Sequence, residues 1–107
     1  MKWPPDQVDI VEAGVDASGR LYVIPTIPAD TDFDLIYRAG MEVSWDADSR
    51  SFVSPIPRKW TRADWFRQIL RAVKGEYGTS LRVLPSTQWS NVTAEDRKEI
   101  EAWLRQA

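Results

Sequence analysis

Within the fifteen residues SPIPRKWTRADWFRQ (54–68) stand four cations, Arg58, Lys59, Arg62 and Arg67, and two indoles, Trp60 and Trp65. Cations along one surface neutralise phosphates or carboxylates, and an exposed indole stacks on a base, a planar ligand or a partner's side chain. Arg71 and Lys74 extend the basic run. The candidate binding surface is therefore Arg58, Lys59, Trp60, Arg62, Arg67, Arg71 and Lys74, joined by Trp89 further along the chain. Other chemistry is narrower. The 107 residues include no histidine and no cysteine, which removes the usual general base, thiolate nucleophiles, disulfides and the commonest transition-metal ligands. An enzyme would have to work with carboxylates, Lys, Tyr or Ser alone. A binding protein is the expectation, with no catalytic residue, metal or cofactor assigned.

The remaining motifs agree. Asp30, Asp32 and Asp34 in DTDFD have the look of carboxylate ligands, but an EF-hand needs Gly at position six and Glu at position twelve. Leu35 and Met41 stand there instead, so these acids are read as turn formers and the polar side of a strand. Asp46 and Asp48 are read in the same way, as residues of a hairpin turn. None of the five glycines is adjacent to another, and they form neither a Walker loop nor G-x-G-x-x-G.

The secondary structure that carries these residues divides into two halves. Val8 to Ala13, the turn DASGR (16–20) and LYVIPTI (21–27) read as a hairpin, with Pro25 at an edge or an interruption. Phe33, Leu35, Tyr37, Ala39, Met41, Val43 and Trp45 recur at every second position, which predicts a long strand bent at Gly40. The turn DADS (46–49) then leads to a shorter strand in RSFVSPIP, ended by Pro55 and Pro57.

In the second half, Thr61 caps a helix with Asp64 in the capping-box position, and the helix runs to about Gly75 or Gly78. Phe66, Ile69, Leu70, Val73 and Tyr77 form its apolar face, flanked by Trp65, while Arg67, Arg71 and Lys74 lie opposite. SLRVL (80–84) reads as a short strand and PSTQWSN as a loop. A second helix starts at Thr93, with Asp96 as the capping partner and Ile100, Trp103, Leu104 and Ala107 on its apolar side. The expected fold is α+β: an antiparallel meander of four to five strands, then helix, short strand and C-terminal helix, with the helices on one sheet face. One domain, 1–107, is the expectation at this length.

Charge is uneven. Residues 1–56 carry four basic and ten acidic side chains, residues 57–84 seven and two, within a net charge of −2 and a pI near 5.1. That pI is far from the basic values of nucleic-acid modules, so nucleic-acid binding by the basic helix flank ranks behind the other readings. No stretch approaches the ~18 apolar residues of a membrane span, and the N-terminus lacks a signal-peptide core. A soluble protein of the cytoplasm, without a membrane partner, is expected.

Six tryptophans are many for this length. Trp45, Trp65 and Trp103 have periodic support as core residues, whereas Trp3, Trp60 and Trp89 fall in apparent loops beside Pro, Lys or Ser. Exposed Trp beside Arg is the composition of an interface centre. The expected partner is a second copy of the chain or another protein, with a small molecule in a Trp/Tyr-lined pocket as the alternative. The stretch FVSPIPRKWTRADWF (52–66), in a short α+β chain without an enzyme motif, resembles the small orphan proteins of bacterial mobile elements such as integron gene cassettes. The resemblance implies a bacterial cytosolic protein able to oligomerise, and it transfers no functional residue.

Overall fold

A computed structural model describes residues 4–39, 41–56 and 59–106. Trp3, Gly40, Pro57, Arg58 and Ala107, each given a part above, lie outside the described residues. The chain forms β1 (Gln7–Val15), β2 (Leu21–Pro25), a 3-10 helix (Asp34–Ala39), β3 (Ser44–Asp46), β4 (Ser51–Val53), α1 (Arg62–Tyr77), β5 (Ser80–Ser90) and α2 (Ala94–Gln106). The fold is α+β, with a five-stranded sheet in the order β3-β4-β2-β1-β5.

The first hairpin turns where the residues require it. The Asp16 carboxylate accepts the backbone N–H groups of Ser18 and Arg20 at 2.9 and 3.0 Å, and Gly19 takes the left-handed conformation at φ 86°. Asp46 does the same at the β3–β4 turn, where the N–H groups of Ser49 and Asp48 hold its carboxyl below the ordinary value. These aspartates shape backbone. β2 ends at Pro25, which has no N–H to continue the ladder.

β5 departs from a pure meander, because it pairs parallel with β1 after α1 has carried the chain back across the sheet. It is also longer than SLRVL. Ile10 pairs with Val83 and Glu12 with Gln88, so residues 84–87 leave the ladder as a bulge around Pro85. Thr87 closes it: its hydroxyl accepts the Leu84 N–H at 2.8 Å and donates to the Ile10 carbonyl at 2.6 Å. The strand resumes, and Trp89, expected in a loop, lies within it.

The long strand read over 33–45 does not form. Asp34–Ala39 is a 3-10 helix, and among the described residues of this segment only those of Ser44–Asp46 are strand. The physical reason lies in which residues can be buried: Phe33 and Ile36 are fully buried, three positions apart, while Tyr37 is 67% exposed. That is the repeat of a 3-10 turn, in which side chains at i and i+3 eclipse. The Ile36 N–H bonds the Phe33 carbonyl at 3.0 Å and closes the turn.

α1 packs on the sheet face formed by Val8, Ile10, Ala13, Leu21, Val23 and Phe52, and presents Ala63, Trp65, Phe66, Ile69, Ala72, Val73 and Tyr77 to it. Burial of each large apolar side chain contributes about 1.5–3 kcal/mol before the entropy of ordering it. α2 adds Ile100 to the same core, with Trp103 and Leu104 half-buried against it. Val11 and the half-buried Tyr22, Ile24 and Val53 occupy the other sheet face. Among the described residues, no helix is long and apolar enough to cross a membrane.

Candidate functional site

The loop from β4 to α1 is pinned at both ends. Ser54 holds the first end: its backbone N–H bonds the Leu21 carbonyl at 2.9 Å, and its hydroxyl accepts the Leu21 N–H at 3.1 Å. Thr61 holds the second through a complete capping box, in which Asp64 N–H donates to the Thr61 hydroxyl at 3.1 Å and Thr61 N–H to the Asp64 carboxylate at 2.9 Å. The Thr61 N–H keeps the Asp64 carboxyl below its ordinary value, against some burial and with help from Arg67.

Capping fixes more than the backbone. Trp60 stands immediately before the cap and Trp65 is the fourth helical residue, which is the spacing of a hydrophobic staple. Their rings meet at 4.8 Å between centroids with planes at 48°. Trp65 is only 7% exposed, whereas Trp60 is 44% exposed and Ile56 beside it 51%. The staple accounts for the ring contact and leaves much of the Trp60 indole in solvent.

That indole walls a cleft of about 610 Å³ lined by Arg20, Glu42, Pro55, Ile56, Lys59, Trp60 and Trp65. Glu42 reaches the lining from a left-handed backbone at φ 62°, which costs a non-glycine residue about 1–2 kcal/mol. Among the described residues, the side chains of Arg20, Glu42 and Lys59 form no ion pair. Trp65 Nε1 is buried and likewise has no hydrogen-bond partner there. The arrangement offers a flat apolar wall and charges of both signs.

Of the candidate surface residues, the cleft brings together Lys59 and Trp60. Arg62 turns instead toward α2, with Asp96 at 3.7 Å. Arg67 bonds Asp64 at 2.6 Å, and Lys74 reaches the Gly78 carbonyl and Ser80 hydroxyl at 3.4 and 3.3 Å, where a cation suits the helix C-terminus. Arg71 is exposed, without a partner among the described residues. Trp89 is half-buried against Phe66 at 5.9 Å, and the Arg97 guanidinium lies 5.2 Å from its ring centroid. Arg20, Glu42, Pro55 and Ile56 were not read as site residues. The W-T-R-A-D-W spacing of the staple signals the Trp60–Trp65 contact, but nothing local to Arg20 or Glu42 announces that the fold brings them to it.

A second groove, of about 370 Å³, lies on the other sheet face and includes Glu12, Asp16, Tyr22, Ile24 and Asp46. Its central carboxylate is committed. Glu12 Oε2 accepts the Tyr22 hydroxyl at 2.5 Å and the Ser90 hydroxyl at 2.7 Å, and burial together with Glu12 raises the Tyr22 pKa.

Sheet, helices and cleft together define a small α+β protein with a ligand-sized recess at the mouth of its first helix. Residues 6–87 match the family described as Integron Cassette Protein Hfx_Cass5, and the chain belongs to that family. It is similar to a solved structure, Integron Cassette Protein Hfx_Cass5 from the mobile metagenome of the North West Arm sewage outfall, with 39% identity over 95% of each chain and a TM-score of 0.43. The likeness to integron cassette proteins read from residues 52–66 is thereby shown. No curated protein matches the sequence.

Proposed function

We propose that this chain is a binding protein that receives a planar organic group in the cleft beside Trp60. The observation that carries the reading is the exposure of Trp60, which is 44% accessible on the wall of a recess of about 610 Å³. Ligand clefts run to about 300–1,000 Å³ and combine apolar walls with a few polar groups. A leucine would serve the staple equally well, so the large flat ring is surplus to helix capping.

Association with a second copy or another protein would use the same residue, and the exposed Ile56 beside it favours that as the second reading. A stable interface, however, needs roughly 800 Å² from each partner. Trp60 and Ile56 supply a small part of that. Phosphate binding along α1 has weaker support, because Arg67 and Lys74 already engage Asp64 and the helix C-terminus.

The test is a ¹H–¹⁵N spectrum of the tryptophan indoles, assigned by single Trp→Phe variants and titrated with 2-naphthoate, 2-naphthamide and 2-naphthylmethylamine. Saturable shifts of the Trp60 and Trp65 signals by at least one probe, absent in Trp60→Leu, are expected. If none of the three moves them at millimolar concentration, the ligand reading fails. Light scattering on a sizing column, over a range of concentrations with wild type and Trp60→Leu, checks the association reading; a mass that falls only in the variant would favour it.

A further inference from the structure

Resting on that cleft reading, we infer that the ligand is a planar aromatic monocarboxylate, with its ring against Trp60 and its carboxylate held by Arg20 and Lys59. The charge of the lining points this way. Arg20 and Lys59 outnumber Glu42, leaving one net positive charge, and none of the three has an ion-pair partner among the described residues. Other cations are committed, Arg38 to Glu76, Arg62 to Asp96, Arg67 to Asp64, Arg82 to Asp9 and Arg97 to Glu101, while Arg50 and Lys74 donate to backbone carbonyls.

A carboxylate is an acceptor at both oxygens, accepts a guanidinium in two parallel hydrogen bonds and carries the charge that complements Arg20 and Lys59. Glu42 sets the upper limit: it opposes a second negative charge, which favours a monocarboxylate over a phosphate dianion.

The three naphthalene probes share a ring system and differ in charge. 2-Naphthoate is expected to bind about tenfold tighter than 2-naphthamide, with 2-naphthylmethylamine weakest and the naphthoate preference shrinking with added salt. Arg20→Gln combined with Lys59→Gln should bring naphthoate down to the affinity of naphthamide while leaving naphthamide binding unchanged. Acetyl-glycyl-tryptophan, titrated in parallel, separates a peptide C-terminus from a free acid as the source of the carboxylate by which of the two binds tighter. Naphthamide or the amine binding as tightly as naphthoate would overturn the carboxylate and leave the cleft reading standing. Failure of every probe would overturn both.

Discussion

Phe33 meets Phe52, Tyr77 and Trp45 at 4.7, 5.0 and 5.3 Å between ring centroids, and Trp60 meets Trp65 at 4.8 Å. By spacing the two aromatic groups are alike. By surroundings they are opposite: Phe33 is fully buried between the sheet and α1, and Trp60 keeps one side in solvent beside unpaired charges. Edge-on and tilted rings contribute about 0.5–1.5 kcal/mol beyond burial in either place. Burial therefore separates the two roles, and ring geometry does not.

The largest effect should come from the buried group. Phe33→Ala removes the ring that touches three others and leaves a cavity between β3, β4 and α1. A loss of about 3–5 kcal/mol is expected, read from the urea midpoint at constant slope. A loss below about 1 kcal/mol would mean that the cluster rearranges freely and that the contrast with Trp60 is weaker than its burial indicates.

Tyr77→Phe tests the same cluster by chemistry rather than volume. The Tyr77 hydroxyl accepts the Leu35 N–H at 3.0 Å and ties α1 to the 3-10 helix, and burial pushes its pKa up. Removing that acceptor should cost about 1–3 kcal/mol by the same measurement. Amide exchange at Leu35 should accelerate with it, and unchanged exchange would show that the bond is not what holds the segment.

Segment 33–45 also marks the limit of what residue order discloses. Its alternation satisfies a strand template because apolar residues occupy every odd position, yet Ile36, which breaks that alternation, is fully buried while Tyr37, which keeps it, is exposed. Phe33 and Ile36 at i and i+3 carry the 3-10 signal inside that longer alternating pattern. α1 was legible from both ends, with Thr61, Asp64 and Gly78 in their capping places, because helix signals are local. β5 was cut short at Pro85, since the Thr87 to Ile10 hydrogen bond that restores the strand joins residues far apart in the chain. The cleft was half legible for the same reason: Lys59 and Trp60 lie in one stretch, whereas Arg20 and Glu42 arrive through the hairpin and the 3-10 segment.

A smaller effect should come from the cap between Trp60 and Trp65. Asp64 has its carboxyl pKa held below the ordinary value, first by the Thr61 N–H and then by Arg67. A depressed carboxylate stabilises the fold above the unfolded pKa, near ~3.9, and that contribution is lost as pH falls through the lower folded value. Asp64→Asn should therefore lower the urea midpoint at neutral pH by an amount corresponding to about 1 kcal/mol or less, and the gap to wild type should close as pH drops below about 4. A gap that stays constant with pH would place the effect in the geometry of the cap and not in its charge.

Trp60→Leu should disturb stability least and sharpen the comparison most. Leucine before the cap can still close the staple on Trp65, so the change in stability should stay within about 0.5 kcal/mol, the range of substitutions at exposed positions. Planar probe binding should disappear, because leucine offers no flat face to a ring. If the variant instead loses as much stability as Tyr77→Phe, Trp60 belongs with the buried cluster and its indole is needed to seal the end of the core. If stability and binding both survive, the recess recognises its ligand through Ile56 and the charged lining, and Trp60 serves helix entry alone. Only the combination of intact fold and lost binding makes the exposed ring of this pair a recognition surface, against the buried ring of Phe33 that the fold requires.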